Sequence, residues 1–572
     1  MHRRASLAVS GLLLWFLSAV SLPALAVAEI SFVTPPAADA PVRSDLAAET
    51  ASLIEQGQTL ETERRWGEAL TFYENALRRF PRDAAIEQRL QLARLHYELG
   101  RRYSDPSYKQ TLSTMPERDA VDLYTEVLLK IQSHYVDAPN WKQMIDHSTR
   151  AYRVALADPV FIEHNLPRIP QAQVDRYARE VAERVAGWQI NNRHDARNAV
   201  AYIARLGRER VGLNNTVTVL EYTCGATSGL DPYSAFLTAD QLNEVYSQIE
   251  GNFVGLGVEL KAADRALLIL KVITGSPAEK AGIRANDRIV AVDGQTTTDL
   301  TTDQAANLLQ GKEGTFVEVT LLSPDSTSRR LRIRREQIEA PSVDGGTIVD
   351  SERGIAYMKI HQFQKTTVRE LDAELWRLRQ LGMQSLIIDL RGNPGGLLAV
   401  SVEVVDKFVD AGVIVSTRGR GPQEDYKYSA RSEGTWRVPL VVLIDGDSAS
   451  ASEIFAGAIR DHRRGIIVGS TSYGKGSVQG IFPLNHANTG LRLTTAKFYS
   501  PLNRPYSGIG VKPDVDVPDV EVHQVAKPVV GADGQVVQND ATGQPTDPAL
   551  AAAIMQARGQ LAKRRVEGTN AK

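Results

Sequence analysis

The stretch that decides the fold is "VPLVVLIDGDSASASEIFAGAIRD", residues Val438 to Asp461. Its apolar run has the near-continuous hydrophobicity of a strand that is buried on both faces of a parallel sheet. A turn follows, and Ile454, Phe455 and Ile459 then recur at helical spacing. The stretch therefore predicts a strand, a turn and a helix, with three alternate serines where the helix begins.

Around this stretch, residues 343–518 show further alternation of apolar strand patterns and helical patterns. "GIAYMKIHQF" and "SLIIDLRG" are further apolar strand patterns, and "TTVRELDAELWRLRQLG" is a helical pattern between them. Strands alternating with helices predict an α/β core. Such cores place their sites at the carboxyl ends of the strands, where helix amino termini present free N–H groups.

The serine at the middle of this turn has two interpretations. Ser450-x-x-Glu453 fits a capping box, in which the Ser450 hydroxyl accepts the N–H of residue 453. Alternatively, Ser450 is an acyl-transfer nucleophile, which needs a base and N–H groups that hold an oxyanion. The stretch alone leaves both interpretations open.

A base for Ser450 is sought first among the histidines. His462 lies twelve residues further along the same predicted helix, so about 18 Å away, and it cannot reach. The remaining histidines show no triad-like local signature, although distance in sequence does not exclude them. "GIIVGSTSYGKGSVQGIFPL" offers Lys475 between two glycines, with Gln479 four residues on. Burial that lowers the lysine pKa by about three units, at about 4 kcal/mol, would make it a base. The alternative is a solvated turn.

The amino end predicts export. Arg3 and Arg4, an apolar stretch and the small residues Ala26-Val27-Ala28 form a signal-peptide pattern over residues 1–28. The alternative is an uncleaved anchor, the only case in which membrane association is expected.

The single cysteine, Cys224, excludes an internal disulfide. A net charge of −2 gives no general electrostatic reason to expect nucleic acid as a partner.

The next segments are predicted to be helical. Residues 29–48 are rich in Pro and Ala and indicate a linker. Residues 49–104 predict a tetratricopeptide-like unit that could dock a partner or adaptor, with an ordinary helical hairpin as the alternative. The matching positions are Leu53, Gly57, Leu60, Ala69, Tyr73, Ala76 and Pro81. Residues 117–245 show helical periodicity and carry no recognisable chemistry.

Residues 249–338 change to short strands and turns. "FVGLGVEL" and "LLILKVITGSPAEKAGIRANDRIVAVDGQ" give a glycine turn, strands, a short helix and an Asp-Gly hairpin turn. The whole stretch resembles a PDZ domain. The resemblance implies that a glycine turn presents N–H groups to the terminal carboxylate of a peptide, which then adds as a strand. The matching residues are Gly255, Leu256, Gly257 and Val258.

Three motifs in the α/β region carry a second resemblance. "DLRGNPGGLL", "DSASASEIFAGAIRDHRRGIIVGSTSYGKGSVQ" and "YSPLNRPYSGIGVKPDVDV", together with "LDPYSAFL", resemble the carboxyl-terminal processing (tail-specific) serine proteases. The resemblance implies a crotonase/ClpP-like core with a Ser/Lys dyad. It implies Ser450 as nucleophile, Lys475 as base, Gln479 as its orienting partner, and the Gly396 and Ala451 amides as oxyanion hole.

The sequence thus predicts a multidomain, exported serine endopeptidase of the periplasm or cell envelope. It would bind unstructured carboxyl termini of proteins through its PDZ domain and cleave through an acyl-enzyme, with no metal or cofactor. A non-catalytic PDZ scaffold is the first alternative, and a crotonase-like acyl-CoA enzyme is the second. Residues 519–572 predict a flexible tail with a short helix near residues 547–558.

Overall fold

The computed structural model describes residues 40–263, 266–298, 308–431, 433–518 and 547–570. The chain divides after Arg94 into two compact units. The predicted signal peptide, the first part of the predicted linker and residues 519–546 of the predicted tail lie outside the described residues. Within the described ranges, no helix is both long and apolar enough to cross a membrane.

The first unit is built from helices. They are α1 (Ala40–Thr62), α2 (Trp66–Arg79) and the beginning of α3 (Ala84–Ser104). Helix α1 starts inside the predicted linker, because Pro is tolerated in the first turn of a helix and Ala is the best helix former. A Cβ at Gly57 would lie 2.3 Å from the Tyr73 ring, so this glycine lets α1 and α2 approach closely.

The second unit begins with further helices, which surround a core that is rich in tyrosine. They are α4 (Pro106–Thr114), α5 (Glu117–His134), α6 (Trp141–Ala157), α7 (Pro159–Asn165), α8 (Gln171–Ala186), α9 (Arg193–Val211) and α10 (Asn215–Ser228). Strand β1 (Ala235–Leu237) and helix α11 (Ala239–Glu250) follow. Leu491 and Leu493, from a much later strand, belong to the same core. These helices and that strand therefore share one apolar core.

A small β domain follows α11, at the place where the PDZ domain is predicted. Its elements are β2 (Asn252–Gly255), β3 (Val258–Ala263), β4 (Ala266–Val272), α12 (Pro277–Lys280), β5 (Arg288–Val292), β6 (Gln295–Thr296), β7 (Phe316–Leu322), β8 (Ser328–Arg334) and β9 (Glu336–Glu339). The sheet order is β3-β4-β5-β7-β8, with β6 on β5, and β2 pairs with β9. The domain has its own apolar core around Leu267, Ile289 and Val319.

The α/β region contains a mostly parallel sheet in the order β10-β11-β12-β15-β16-β19. Its strands are β10 (Thr347–Asp350), β11 (Ile355–Lys359), β12 (Ser385–Asp389), β15 (Leu440–Ile444), β16 (Ile466–Gly469) and β19 (Val515–Asp516). All five residues of β12 and of β15 are buried, which confirms the predicted strands. Helices α13 (Thr367–Gln380), α14 (Leu398–Asp406) and α15 (Ala451–Asp461) contribute to the core on one face.

A second, antiparallel sheet stands beside the first. It has the order β1-β18-β13-β14, with β17 on β18. Its later strands are β13 (Val413–Gly419), β14 (Tyr426–Ser429), β17 (Ser477–Pro483) and β18 (Gly490–Tyr499), and a short 3-10 helix spans Pro422–Glu424. Because β1 precedes the PDZ-like domain and β18 follows it, this sheet joins sequence from both sides of the inserted domain.

The last helix lies where a short helix is predicted, but it is longer and packed on the sheet, which corrects the prediction of a flexible tail for this segment. Helix α16 (Pro548–Asn570) covers the other face of the parallel sheet. Its Leu550, Ala553, Ile554 and Ala557 are buried in one core with Ile387 and other sheet residues. The Ala- and Gln-rich composition suggested a tail, but small residues at helical spacing give the close approach that this face requires.

Candidate active site

The turn between β15 and α15 holds its three serines differently. The Ser448 hydroxyl accepts the Asp445 N–H at 3.0 Å and donates to the Leu390 carbonyl at 2.8 Å. The Ser452 hydroxyl donates to the Asn393 carbonyl at 3.0 Å. Ser450 has φ 55° and ψ −112°, a conformation that non-glycine residues rarely adopt. The two outer serines therefore fix the turn, and the middle one is held in a strained backbone.

The capping interpretation of Ser450 is only half fulfilled. The Glu453 carboxylate accepts the Ser450 N–H at 2.8 Å, as a capping box requires. The Glu453 N–H, however, donates at 2.9 Å to the Ser450 carbonyl rather than to the hydroxyl. The hydroxyl is thus left available for another role.

Glu453 also organises the lysine turn. Its Oε2 accepts the backbone N–H of Lys475 at 2.8 Å, and its Oε1 accepts the Gly474 N–H at 2.7 Å and the Ser472 hydroxyl at 2.6 Å. One fully buried carboxylate therefore ties the serine turn to the lysine turn. Burial raises the pKa of Glu453, although these three hydrogen bonds and the one from the Ser450 N–H oppose the rise.

The amine of Lys475 is enclosed. Its Nζ lies 4.8 Å from the centre of the Tyr233 ring, which is a cation–π distance. Burial lowers the pKa of Lys475 from its ordinary 10.5, and the nearby Arg492 lowers it further, while Glu453 and Asp231 oppose the change. These effects favour the neutral amine, which is the form that can accept a proton.

A glycine loop, residues 392–396, lies against the serine turn. A Cβ on Gly395 would lie 2.8 Å from the Ser450 Cβ and 2.9 Å from the Ala451 nitrogen. Gly396 has φ +138°, and a Cβ there would lie 2.2 Å from the Phe363 carbonyl oxygen. Both positions therefore require glycine. Among the described residues, no acceptor is recorded for the N–H groups of Gly396 and Ala451.

Gln479 is not placed as the resemblance implied. Its amide nitrogen donates to the carbonyl and the hydroxyl of Ser477, at 3.1 and 2.9 Å. A bond from Gln479 to the Lys475 amine does not appear among the hydrogen bonds of the described residues. The structure thus brings Ser450 and Ala451 together with Gly395, the residue before Gly396, and with the Lys475 backbone. It leaves the Gln479 side chain bonded to Ser477 on its own strand.

The predicted tail-binding residues form the turn between β2 and β3. Leu256 is buried, and Gly257 has φ +83° with the Ser276 Cβ 2.3 Å from where its own Cβ would lie. The carbonyls of Leu256 and Gly257 accept the N–H groups of Ala278 and Ile273, both at 2.9 Å. Among the described residues, the N–H groups of Leu256 and Gly257 have no recorded acceptor.

Sequence reasoning missed several residues of the site. Glu453 was recognised only as part of a capping box, and its bonds to Gly474 and Lys475 had no sequence signal. Tyr233 belongs to the motif "LDPYSAFL", which carries the family resemblance but assigns no role to this residue. No sequence pattern indicated Arg492.

The single cysteine is not a second candidate nucleophile. Burial raises the pKa of the Cys224 thiol to about 12, so it is not a nucleophile at neutral pH.

Comparison with known proteins identifies the family. Peptidase family S41 matches residues 354–517. The carboxy-terminal-processing protease of Bartonella bacilliformis is 37% identical over 300 residues, which cover 51% of this chain and 68% of that protein. This chain belongs to peptidase family S41, the carboxy-terminal-processing proteases. It is therefore a serine-type peptidase, and its catalytic function is favoured over a scaffold function.

Further known proteins and domains are similar to this chain. The carboxyl-terminal-processing protease of Picosynechococcus sp. is 34% identical over 292 residues, which cover 50% of this chain and 70% of that one. A PDZ domain matches residues 268–323, so the predicted PDZ domain is confirmed. A solved photosystem II D1 C-terminal processing protease is 25% identical and covers 70% of this chain and 93% of its own, with a TM-score of 0.37.

Proposed function

We propose that this S41 peptidase uses Ser450 as its nucleophile and Lys475 as its general base. The observation that carries the proposal is the Glu453 carboxylate, whose Oε2 accepts the N–H groups of both residues at 2.8 Å. The strained Ser450 backbone, the unused hydroxyl and the buried amine support the same roles. A network that serves only to cap a helix would have no need to hold a second turn.

The reaction follows from these roles. The neutral Lys475 amine takes the Ser450 proton while Oγ bonds to the carbonyl carbon of the peptide. The N–H groups of Gly396 and Ala451 hold the resulting oxyanion. The C–N bond then breaks, the Lys475 ammonium gives its proton to the leaving amine, and an acyl ester remains on Ser450. Water activated by Lys475 adds to the ester, and the released products are a carboxylate and free Ser450.

Gln479 enters the proposal through a change of side-chain direction. Its amide lies on β17, only four residues from Lys475, and its donors now bond to Ser477. A rotamer change that leaves Ser477 would direct the amide carbonyl oxygen to the Lys475 amine. We propose that this change accompanies substrate binding and orients the amine towards Ser450.

The PDZ domain is proposed to select substrates by their carboxyl termini. The unbonded N–H groups of Leu256 and Gly257, with Gly255 and Val258 beside them, form the place for a terminal carboxylate. A substrate that carries an amidated tail lacks that charge. We expect its KM to rise about tenfold or more while kcat is retained, since a charged hydrogen bond contributes about 1.5–3 kcal/mol. Equal KM values for free and amidated tails would refute tail recognition.

The decisive test of the mechanism is Ser450→Ala. The variant should fail to degrade an unfolded substrate with a free tail, while Ser448→Ala, a change in the same turn, should keep measurable turnover. Trapping of the acyl-enzyme on Ser450 by mass spectrometry would give direct support. Degradation by Ser450→Ala at the wild-type rate would refute the assignment of Ser450 as the nucleophile.

The proposal also includes a tetratricopeptide-like unit, a crotonase/ClpP-like core and export of the protein. The hairpin of α1 and α2, in which Gly57 receives the Tyr73 ring, supports a tetratricopeptide-like unit that docks an adaptor protein. The strand–turn–helix around Ser450 and the amides of the glycine loop support a crotonase/ClpP-like core. The amino-terminal signal pattern supports export to the periplasm or envelope. Copurification with and without residues 49–104 would test the adaptor.

A further inference from the structure

The amino end of the carboxyl-terminal helix α16 is fixed near the carboxyl end of β12 by an ion pair. Arg391 donates to both carboxylate oxygens of Asp547, from Nη1 at 2.9 Å and from Nη2 at 2.8 Å. Asp547 stands immediately before α16 and also accepts the Leu550 N–H at 2.9 Å, so it caps this helix. Two parallel N–H···O bonds between Arg and a carboxylate give a firm, directional contact.

The same arginine is held on its other side. Asp389, the fully buried last residue of β12, accepts bonds from Arg391 Nε and Nη2, the latter at 2.7 Å, and from the Tyr357 hydroxyl at 2.8 Å. Only 11% of the Arg391 side chain is exposed. Burial alone would lower the pKa of Arg391, but Asp389 and Asp547 together raise it. The guanidinium is therefore a permanent charge between two carboxylates.

Arg391 stands directly before the glycine loop. The Gly392 N–H donates to Asp445 at 3.0 Å, and the Asn393 carbonyl accepts the Ala449 N–H at 3.0 Å. The Asn393 side chain accepts the Gly395 N–H at 2.9 Å and donates to the Ile360 carbonyl at 2.8 Å. Only four residues separate Arg391 from Gly396, and their hydrogen bonds restrict this segment, so a shift of Arg391 can be transmitted along the backbone to Gly396.

We infer that the carboxyl-terminal helix, through Asp547 and Arg391, is a positioning element of the active site that sets the glycine loop for oxyanion binding. The inference rests on the proposed role of Gly396. Asp547 touches no reacting atom and acts through Arg391, so it is a positioning residue. Without the Asp547 carboxylate, Arg391 is paired with Asp389 alone and can move away from the helix.

The helix offers a matched control at a second ion pair. Arg558 Nε donates to the buried carboxylate of Asp350 at 2.8 Å, on β10 and remote from the glycine loop. Asp547→Asn keeps the shape and the capping ability of Asp547 but removes its charge. Arg558→Gln loosens the same helix without touching Arg391. A merely structural role of α16 predicts equal behaviour of the two variants.

The first experiment measures steady-state kinetics of the full chain on a tailed substrate. We expect Asp547→Asn to lower kcat about tenfold, less than the hundredfold or more that follows removal of an oxyanion donor. KM should stay within about twofold, because the PDZ domain is unchanged, and Arg558→Gln should keep kcat within about twofold. Wild-type kcat in Asp547→Asn, or equal loss in both variants in step with their melting temperatures, would overturn the inference.

The second experiment does not depend on turnover. Hydrogen exchange is measured in the Ser450→Ala background on peptides that cover residues 391–397. Asp547→Asn should exchange faster there, and Arg558→Gln should not. Unchanged exchange in Asp547→Asn would overturn the inference even if Ser450 proved to be the nucleophile. Should Asp547→Asn fold poorly, Asp547→Ser, which also caps a helix, replaces it in both experiments.

Discussion

The Lys475 Nζ lies 4.8 Å from the centre of the Tyr233 ring. A cation–π contact stabilises the ammonium and not the neutral amine, so the ring opposes the effect of burial on the pKa of Lys475. Tyr233 comes from the helical region before the PDZ domain, and Lys475 follows that domain by more than a hundred residues. The charge state of the proposed base therefore depends on the packing of two distant segments.

The first prediction concerns this ring. Loss of about 1 kcal/mol of cation–π stabilisation in Tyr233→Leu should move the pH at which kcat rises down by somewhat less than one unit. Activity rises with pH because only the neutral amine accepts the Ser450 proton. Tyr233→Phe keeps the ring and should retain the wild-type profile. An identical pH profile in Tyr233→Leu and the wild type would contradict the prediction.

Arg492 should act in the opposite direction. Its positive charge lowers the pKa of Lys475, so Arg492→Gln should raise that pKa and move the rise of kcat to higher pH. The Arg492 Nε also donates to the Tyr233 carbonyl at 2.8 Å, and Gln retains a donor at this position. The measurement is the pH dependence of kcat from pH 6 to 10, about the range in which a lysine of lowered pKa titrates. A shift to lower pH would refute this account of the electrostatics.

Glu453 gives a prediction that separates activity from stability. Glu453→Gln retains one acceptor oxygen where two now serve, so the serine and lysine turns should separate and kcat should fall by about a hundredfold or more. Glu370→Gln is the matched control, since Glu370 Oε2 accepts the N–H groups of Ser342 and Val343, which belong to neither the serine turn nor the lysine turn. Both variants should lower the melting temperature, and only Glu453→Gln should lose kcat. Comparable kcat in the two variants would argue against the bridge.

The sequence was informative where the determinants are local. The apolar runs of β12 and β15, the turn serines and the helical spacing of Ile454, Phe455 and Ile459 are each set by a few neighbouring residues, and the structure agrees with them. The motif resemblance then selected Ser450 and Lys475. Each of these signals is a short pattern that one segment of chain carries by itself.

The parts that sequence missed are contacts between distant segments. Tyr233 and Arg492 meet Lys475 only after the antiparallel sheet joins sequence from both sides of the PDZ domain. The sequence predicts only a short helix in a flexible tail near residues 547–558, because the role of the buried Leu550, Ala553, Ile554 and Ala557 appears only against the face of the sheet. The Gln479 side chain adopts one of several rotamers, and no sequence pattern fixes such a choice.

The last prediction uses two glycines of the same loop. Gly396→Ala would place a Cβ 2.2 Å from the Phe363 carbonyl oxygen, which nothing short of moving the loop can relieve. The proposed oxyanion donor would move with it, so kcat should fall by about a hundredfold or more. Gly392→Ala is the control, because Gly392 also has a positive φ of +69° but has no atom within 4 Å of its Cβ position. It should cost about 1–2 kcal/mol of stability through backbone strain and keep most of kcat. Burst kinetics of acylation on an ester substrate would locate the loss in the Gly396 variant, since acylation is the first step that needs the oxyanion hole. A Gly396→Ala enzyme that acylates at the wild-type rate would remove Gly396 from the oxyanion hole and leave Ala451 as its only proposed donor.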